Sequence, residues 1–585
     1  MMRALAKRLS CIGLLCLTTA MATNCRKGNP NRKTDNNNDN DTTATVVIPE
    51  DPPVAASIGF FMDRWEERRF EAPAFTEATV PSVTTDTVIV DASTIVSKIS
   101  PGLFGDNSNL YQTQMVTEPV LLNHITLLRP GIIRYPGGNL SSVFFWNALP
   151  DRPPADAPAM LRDASGNQVP SGYWYGGNTA GWTLSLDNYY KMLHLTGNEG
   201  MLTVNYGYAR YGTGEDPVAA AAHLAADWVR YDNGRTRYWE IGNESNGAWQ
   251  AGYRIDVTQN KDGQPQFVTG DLYGRHFKVF ADSMRKAAAE ISKTIYIGAQ
   301  LLEHEPASWA TSTDKEWNSG VLKQAGNAAD YFIVHSYFTP FNTNSNPPEV
   351  LASAKAVAKA MYDHVEASVT AAGADMKPLA LTEWNIFATG SGQMVSQVAG
   401  MHAVMVLGEL MKNRFGMASR WNLANAWDNG DDHGLFSQGE AVSGEAKWSP
   451  RPAFYYLYFF RKFLGDRYIH AFATDSQANI NAYASTFSSG EVSLALVNGN
   501  TTAKNVQVRF RNFNPGGRFY WYTITGGEGK TGFSRAAYVN GNGPSGTIGG
   551  PAGYATLKAY GAGAENGVKV NLPPMSVVCL AVEKE

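Results

Sequence analysis

Two segments, Tyr238-Trp-Glu-Ile-Gly-Asn-Glu244 and Leu379-Ala-Leu-Thr-Glu-Trp-Asn-Ile386, each climb a β-like apolar stretch and deliver a glutamate flanked by aromatic and amide side chains. Two carboxyl groups so placed could cleave a glycosidic bond by double displacement, one protonating the leaving oxygen and the other attacking the anomeric carbon. The plainer alternative for either segment alone is a solvated glutamate after a strand, since the chain has 53 acidic residues to place. Three more segments put polar and aromatic groups at apparent strand ends: Arg134-Tyr-Pro-Gly-Gly-Asn139, Asn205-Tyr-Gly-Tyr208 and His335-Ser-Tyr-Phe338.

The elements around these residues read as alternating strands and helices. Strand-like runs at Ile132–Tyr135, Gly200–Asn205, Thr236–Ile241, Ile295–Gly298, Tyr331–Val334 and Leu379–Leu381 alternate with amphipathic stretches at Ser185–Thr196, Pro217–Tyr231, Tyr273–Ser292, Val350–Ala371 and Gln393–Asn413. Their spacing predicts a parallel (β/α)₈ TIM barrel over residues 99–447, with Glu244 just after strand four and Glu383 at the end of strand seven. Beyond Trp448 the helical period fades after one short helix. Runs at Asn479–Ser485, Val492–Asn498, Val506–Phe510, Arg518–Thr525 and Val568–Val582 predict an all-β sandwich over 448–585. A strand at Ser82–Thr94, within an N-terminal segment 58–98, is expected to pair into that sandwich. The stretch Gly526–Gly563 reads only as long loops.

Residues 1–25 read as an export leader, with Arg3, Lys7 and Arg8 ahead of the apolar run Cys11–Leu17. Cys25 followed by a polar tract, residues 26–57 acting as a disordered tether, predicts a lipidated surface or outer-membrane protein, with a periplasmic or secreted one as alternative. Only Cys579 lies in the body, so no intrachain disulfide is expected. Ten scattered histidines without paired ligand spacing predict no dedicated metal site, and no cofactor motif is present. A net charge of −4 gives no reason to expect nucleic acid, and membrane contact is expected only through the lipid anchor. The excess lies in aromatics, with 14 Trp, 27 Tyr and 26 Phe, which suits stacking on sugar rings although most must be core. Trp146, Trp174, Trp182, Trp249, Trp384 and Trp427 lie in or beside rim loops, and two or three of them are expected to form sugar platforms. Asp428–His433 reads as a polar substrate wall or a calcium loop.

The order of Ile99-Ser-Pro-Gly-Leu-Phe-Gly105, Arg134–Asn139, Trp239–Glu244, Val334-His-Ser-Tyr337 and Thr382-Glu-Trp-Asn385 resembles the retaining glycoside hydrolases of clan A, and among them family 51, the α-L-arabinofuranosidases and some endoglucanases. The resemblance spans roughly Ser82 to Val582. It implies Glu244 as acid/base, Glu383 as nucleophile, Asn243 on the sugar 2-hydroxyl, and Tyr337 donating to Glu383 to keep it ionised while Glu244 keeps its proton. Arg134 and Asn139 would line the first sugar subsite, with a buried salt bridge and a turn role as their respective alternatives. His335, Asn205, Trp249, Trp384 and Trp427 are further candidate substrate contacts. The substrate implied is a polysaccharide or oligosaccharide. An endo-acting β-glycanase of glucanase, xylanase or agarase type, or a non-catalytic surface glycan-binding lipoprotein, are the alternatives. Ile58–Thr79 and a long, acidic strand-eight loop around Trp427 depart from the family's pattern, and both could reshape the cleft.

Overall fold

A computed structural model describes residues 48–425, 432–440 and 444–585. The leader, Cys25, most of the tether and Trp427 lie outside the described residues. Eight parallel strands close into a barrel: β1 (Gly105–Asn107), β2 (Ile132–Tyr135), β3 (Glu199–Val204), β4 (Tyr238–Ile241), β5 (Tyr296–Gln300), β6 (Tyr331–Tyr337), β7 (Leu379–Asn385) and β8 (Met417–Arg420). Each is followed by a helix, in order α1 (Pro119–Leu128), α2 (Leu186–Thr196), α3 (Pro217–Asp232), α4 (Gly270–Glu290), α5 (Ser312–Ala325), α6 (Pro347–Ala371), α7 (Gln397–Lys412) and α8 (Pro452–Phe463). The fold is therefore the (β/α)₈ barrel followed by a β-sandwich. Helix starts differ from the periodicity by a few residues because caps set them. Asn346 and Glu349 form a reciprocal capping box with Pro347 at the first turn of α6, three residues ahead of Val350. Ser396 caps α7, past the expected start at Gln393. Helix α8, beyond the boundary expected at Trp448, packs on α7 and α1 and completes the barrel's outer ring.

The sandwich is one 11-stranded sheet wrapped around its own core. Asp86–Lys98 pairs with Arg467–Ala473 and with Lys504–Arg511, so the early strand joins this sheet. The single run expected over Val568–Val582 is two strands, because Pro573 and Pro574 lack N–H donors and Met575 takes a left-handed φ of 45°. Within Gly526–Gly563, Ala559–Gly563 is a strand, bridging Arg518–Trp521 and Phe75–Glu77. Strand alternation serves two cores at once. Val578, Leu580 and Val582 face the sandwich interior, whereas Val577, Cys579 and Ala581 join the barrel's core cluster. Both faces of Ser576–Lys584 are thus covered, which is why its sequence is almost continuously apolar.

The segment Ile58–Thr79 does not reshape the cleft. Gly59–Met62 forms a 3₁₀ turn whose Phe61 is buried among Ile132, Met201, Tyr238, Tyr331, Ile333, Ala380 and Met417. These residues lie toward the strands' amino ends, so Phe61 plugs the floor of the barrel, opposite the carboxyl-end rim. Phe60 stacks on Tyr296 with ring centroids 3.7 Å apart, extending the plug. Truncating Phe61 removes a buried aromatic from a site whose barrel walls cannot collapse. Phe61→Ala is expected to lower unfolding free energy by about 3–5 kcal/mol in denaturant titrations, with ligand affinity at the rim unchanged.

Candidate active site

The carboxyl ends of the strands converge on Arg134 from β2, which is fully buried. Its Nε donates to Glu240 Oε2 at 2.6 Å, its Nη1 to Asn107 Oδ1 at 3.0 Å and Glu383 Oε2 at 3.2 Å, and its Nη2 to Asn243 Oδ1 at 2.7 Å. One guanidinium thus ties β1, β2, β4 and β7 together. Burial alone would lower the Arg134 pKa, but the charges of Glu240 and Glu383 outweigh it and hold the group above its ordinary value. Glu240 is braced in turn by Thr203 Oγ1 at 2.8 Å.

Glu244 sits in the turn after β4 with a left-handed φ of 43°, a conformation that costs a non-glycine residue roughly 1–3 kcal/mol and clusters at functional sites. Gln300 from β5 holds this turn, accepting from the Ser245 amide at 2.8 Å and donating to the Ile241 carbonyl at 3.0 Å. The Glu244 carboxylate accepts from His335 Nδ1 at 2.9 Å and from the Trp249 indole at 3.0 Å. His335 Nε2 lies 3.0 Å from Thr382 Oγ1, which fixes the ring. Tyr337 donates to Glu383 Oε1 at 2.8 Å.

Glu383 points into the barrel because β7 carries an extra residue. Val334 pairs with Leu381, yet His335 pairs with Glu383, and the same slip appears against β8 between Leu381 and Trp384. Strict alternation would send Glu383 outward. The bulge turns it in, beside Thr382. Trp384, next along the strand, faces outward and is buried against Phe338, so it is not a substrate contact as the sequence suggested.

Burial pushes Glu383 above the usual carboxylate range, helped by the nearby charge of Glu244 and opposed by His335, Arg134 and Tyr337. Burial acts likewise on Glu244, but the His335 hydrogen bond and charge, with the Trp249 donor, leave it below the usual range. His335, which burial would lower, is held above its ordinary value by Glu244 and Glu383. Tyr337 acts on Glu383 in the expected direction but burial outweighs it, while His335 holds Glu244 below the usual range where the resemblance implied that it keeps its proton. Ligand atoms of Glu244, His335 and Glu383 all lie within 4.8 Å of one another, so among the described residues this group could hold a cation. The Arg134 guanidinium on Glu383 already supplies positive charge there, which disfavours a dication beside it.

Asn243 is buried, and its Nδ2 has no partner among the described residues, leaving a donor free for a ligand. Asn139 is exposed at the start of a 3₁₀ turn, Asn139–Val143. Asn205 turns its amide to the Phe144 carbonyl and Tyr211 hydroxyl and accepts from the Tyr208 amide, so it shapes the loop after β3 rather than facing the carboxylates. Of the segment Asp428–His433, Asp432 is buried in an ion pair with Arg451 at 2.6 Å and His433 packs against Tyr337, while residues 428–431 lie outside the described residues. Of the rim tryptophans, Trp182 and Trp249 are exposed, while Trp146 stacks on Trp228 as part of the packing. Sequence reading missed Asn107, Glu240, Gln300 and Trp421. Glu240 stood inside the Trp239–Glu244 motif, two residues before Gly242, on the inward period of the strand. Trp421 explains Gly137 and Gly138, since a Cβ at Gly138 would lie 2.4 Å from its ring.

Removing one partner of a buried charge pair leaves the other unpaired. Glu240→Ala, which leaves the Arg134 guanidinium with Glu383 as its one carboxylate partner, is expected to cost about 3–5 kcal/mol of unfolding free energy in denaturant titrations, and Glu240→Gln distinctly less.

A family description, "Alpha-L-arabinofuranosidase 1 domain", matches residues 124–346. An intracellular exo-α-(1→5)-L-arabinofuranosidase from Streptomyces lividans is 26% identical over 274 residues, covering 44% of this chain and 35% of that protein, so the match spans about a third of the relative's length. A family 51 α-L-arabinofuranosidase from Bifidobacterium longum superposes with a TM-score of 0.59 at 15% identity, over 86% of this chain and 100% of the other. The Thermotoga maritima α-L-arabinofuranosidase does so with a TM-score of 0.57 at 18% identity, over 85% of this chain and 100% of the other. In the sequence of residues 124–346 and in its fold, this chain resembles the α-L-arabinofuranosidases of glycoside hydrolase family 51.

Proposed function

We propose that the protein is a retaining glycoside hydrolase of α-L-arabinofuranosidase type. The observation that carries this reading is the carboxylate pair itself: Glu244 and Glu383, at the ends of strands four and seven, bring one oxygen of each within 4.8 Å of the other. Retaining enzymes hold their carboxyl groups about 5–5.5 Å apart, whereas inverting enzymes leave about 6.5–9.5 Å for a water. Glu383 attacks the anomeric carbon, with Arg134 and Tyr337 orienting its two oxygens. Glu244 and His335 act as one acid: as the leaving oxygen gains charge, Glu244 passes on the proton that it shares with His335 Nδ1, then takes one from water in the second step. Asn243, anchored through Oδ1 on Arg134, offers Nδ2 to a sugar hydroxyl.

Glu383→Ala and Glu244→Ala should each reduce kcat on arabinofuranosides by about 10²–10⁴-fold or more, Glu244→Ala keeping the wild-type melting temperature to within a few degrees and Glu383→Ala, which removes one of the two carboxylates on Arg134, staying folded at a lower one. Azide should restore turnover to Glu244→Ala alone, and NMR of the first-formed product should show retained anomeric configuration. An inverted product, or equal unfolding in both variants, would sink the reading. A second expectation follows from the pH dependence. The nucleophile must be ionised, so the acid limb of kcat/KM tracks Glu383, and Tyr337 lowers that pKa by bonding to the charged form. Tyr337→Phe removes the donor, so its acid limb should move to higher pH than wild type. A limb at unchanged pH contradicts the assignment of Glu383.

A further inference from the structure

At the amino-end face of the barrel, opposite the carboxylates, a cleft of about 450 Å³ opens between the end of α1, the last turn of α8 and the segment Arg64–Arg68. Phe104, Leu128 and Leu464 give it an apolar wall, and Arg68, Arg129, Arg461 and Lys462 give it positive charge. Part of that charge serves the fold, since cations are favourable at helix C-termini. Arg461 Nη1 donates to the Leu128 carbonyl at 3.3 Å, and Arg68 Nη1 donates to the Arg461 carbonyl at 3.0 Å and to the Leu464 carbonyl. That uses one nitrogen of each guanidinium, which carries five N–H groups in a fixed fork. Among the described residues the Arg461 side chain has no other hydrogen bond and no ion pair; its Cζ lies 5.2 Å from the Phe104 ring. The side chains of Arg129 and Lys462 have neither, Lys462 lying over the Tyr522 ring at 5.1 Å.

The carboxylates of the cleft do not answer these charges. Asp466 already accepts from the Arg68 amide and the Ser488 hydroxyl, both at 2.6 Å, and pairs with Arg467 at 3.0 Å. Glu66 and Glu67 are exposed and, among the described residues, pair with none of the four cations. Burial and the charges of Arg68 and Arg129 push the Arg461 pKa down to about 9, with no carboxylate opposing them. Like charges gathered in a half-buried cleft repel one another and raise the local concentration of anions.

We propose that this cleft binds a phosphate or sulfate group, free or borne on a small organic molecule, with Arg461 and Arg129 as its principal donors. Guanidinium forks match the paired oxygens of such groups, and the wall of Phe104, Leu128 and Leu464 would seat an organic body. The site is remote from the carboxylates and independent of their reaction. A bound anion would join the first and last helices of the barrel's outer ring.

The test is thermal melting and isothermal titration of the whole protein with inorganic phosphate and with phenyl phosphate, against sodium chloride at matched ionic strength. A ligand that binds only the folded chain stabilises it, so about 10 mM phosphate should raise the melting temperature by about 2 °C or more over chloride, with one site in titration. Arg461→Gln and Arg129→Gln should each weaken binding by about tenfold or more, the loss of a charge-assisted hydrogen bond. The Arg129 side chain is exposed and bonds to nothing described, so Arg129→Gln keeps its fold and decides the matter if Arg461→Gln does not. Tighter binding of phenyl phosphate would place an organic body on the apolar wall, and equal binding would assign the cleft to the free ion. No rise over chloride, or a rise and affinity that Arg129→Gln retains in full, overturns the site.

Discussion

One buried guanidinium organises the site. Arg134 contributes hydrogen bonds to Glu240, Asn107, Glu383 and Asn243, and no water reaches it. A cation with no solvent is tolerable only where anions and dipoles surround it, so the strands that supply those partners must close around it in one register. Register here is also function. A shift of one residue on β2 would turn Arg134 out of the barrel and leave Glu240 and Glu383 buried without their counter-charge.

The layers of the barrel follow from this. Apolar side chains and the Phe61 plug fill the floor, and the polar layer of Thr203, Glu240 and Arg134 sits above it, with the carboxylate pair at the rim. The floor excludes water from below and lowers the local dielectric, which strengthens each bond in the polar layer. The same desolvation raises Glu383, and the imidazole between the two glutamates sets Glu244 the other way. Two like residues thereby acquire different proton affinities from their surroundings alone.

The sheet beyond the barrel has a different part. Its strands Val492–Asn498 and Ser576–Lys584 present one face to their own core and the other to the barrel's helices, so the second unit shares its apolar surface with the first. At the opposite, carboxyl-end rim the loops carry exposed rings, and those after β6 and β7 are fixed by paired side-chain and backbone hydrogen bonds. Rigid floor and laced rim leave the side chains around the carboxylates little room to drift.

Much of this was legible in the sequence. The strand–helix period predicted the barrel, its strand count placed Glu244 at four and Glu383 at seven, and Asn243, Tyr337, His335, Trp249 and Arg134 all come together around them. Periodicity reports which residues are buried, and strand ends report where polar groups gather, so these were readable locally. What the sequence did not contain was the bulge in β7. Alternation alone places Thr382 and Glu383 on opposite faces, and only pairing with β6 and β8 turns both inward and Trp384 out. The floor plug, the burial of Glu240 against Arg134, and the opposed proton affinities of the two glutamates depend likewise on groups distant along the chain, Arg134 lying 106 residues from Glu240 and His335 91 from Glu244. The chain by itself determined the elements and the candidate carboxylates; closure of the barrel decided which side chains share a charge, because Coulombic and hydrogen-bond partners are set by distance in space and not along the chain.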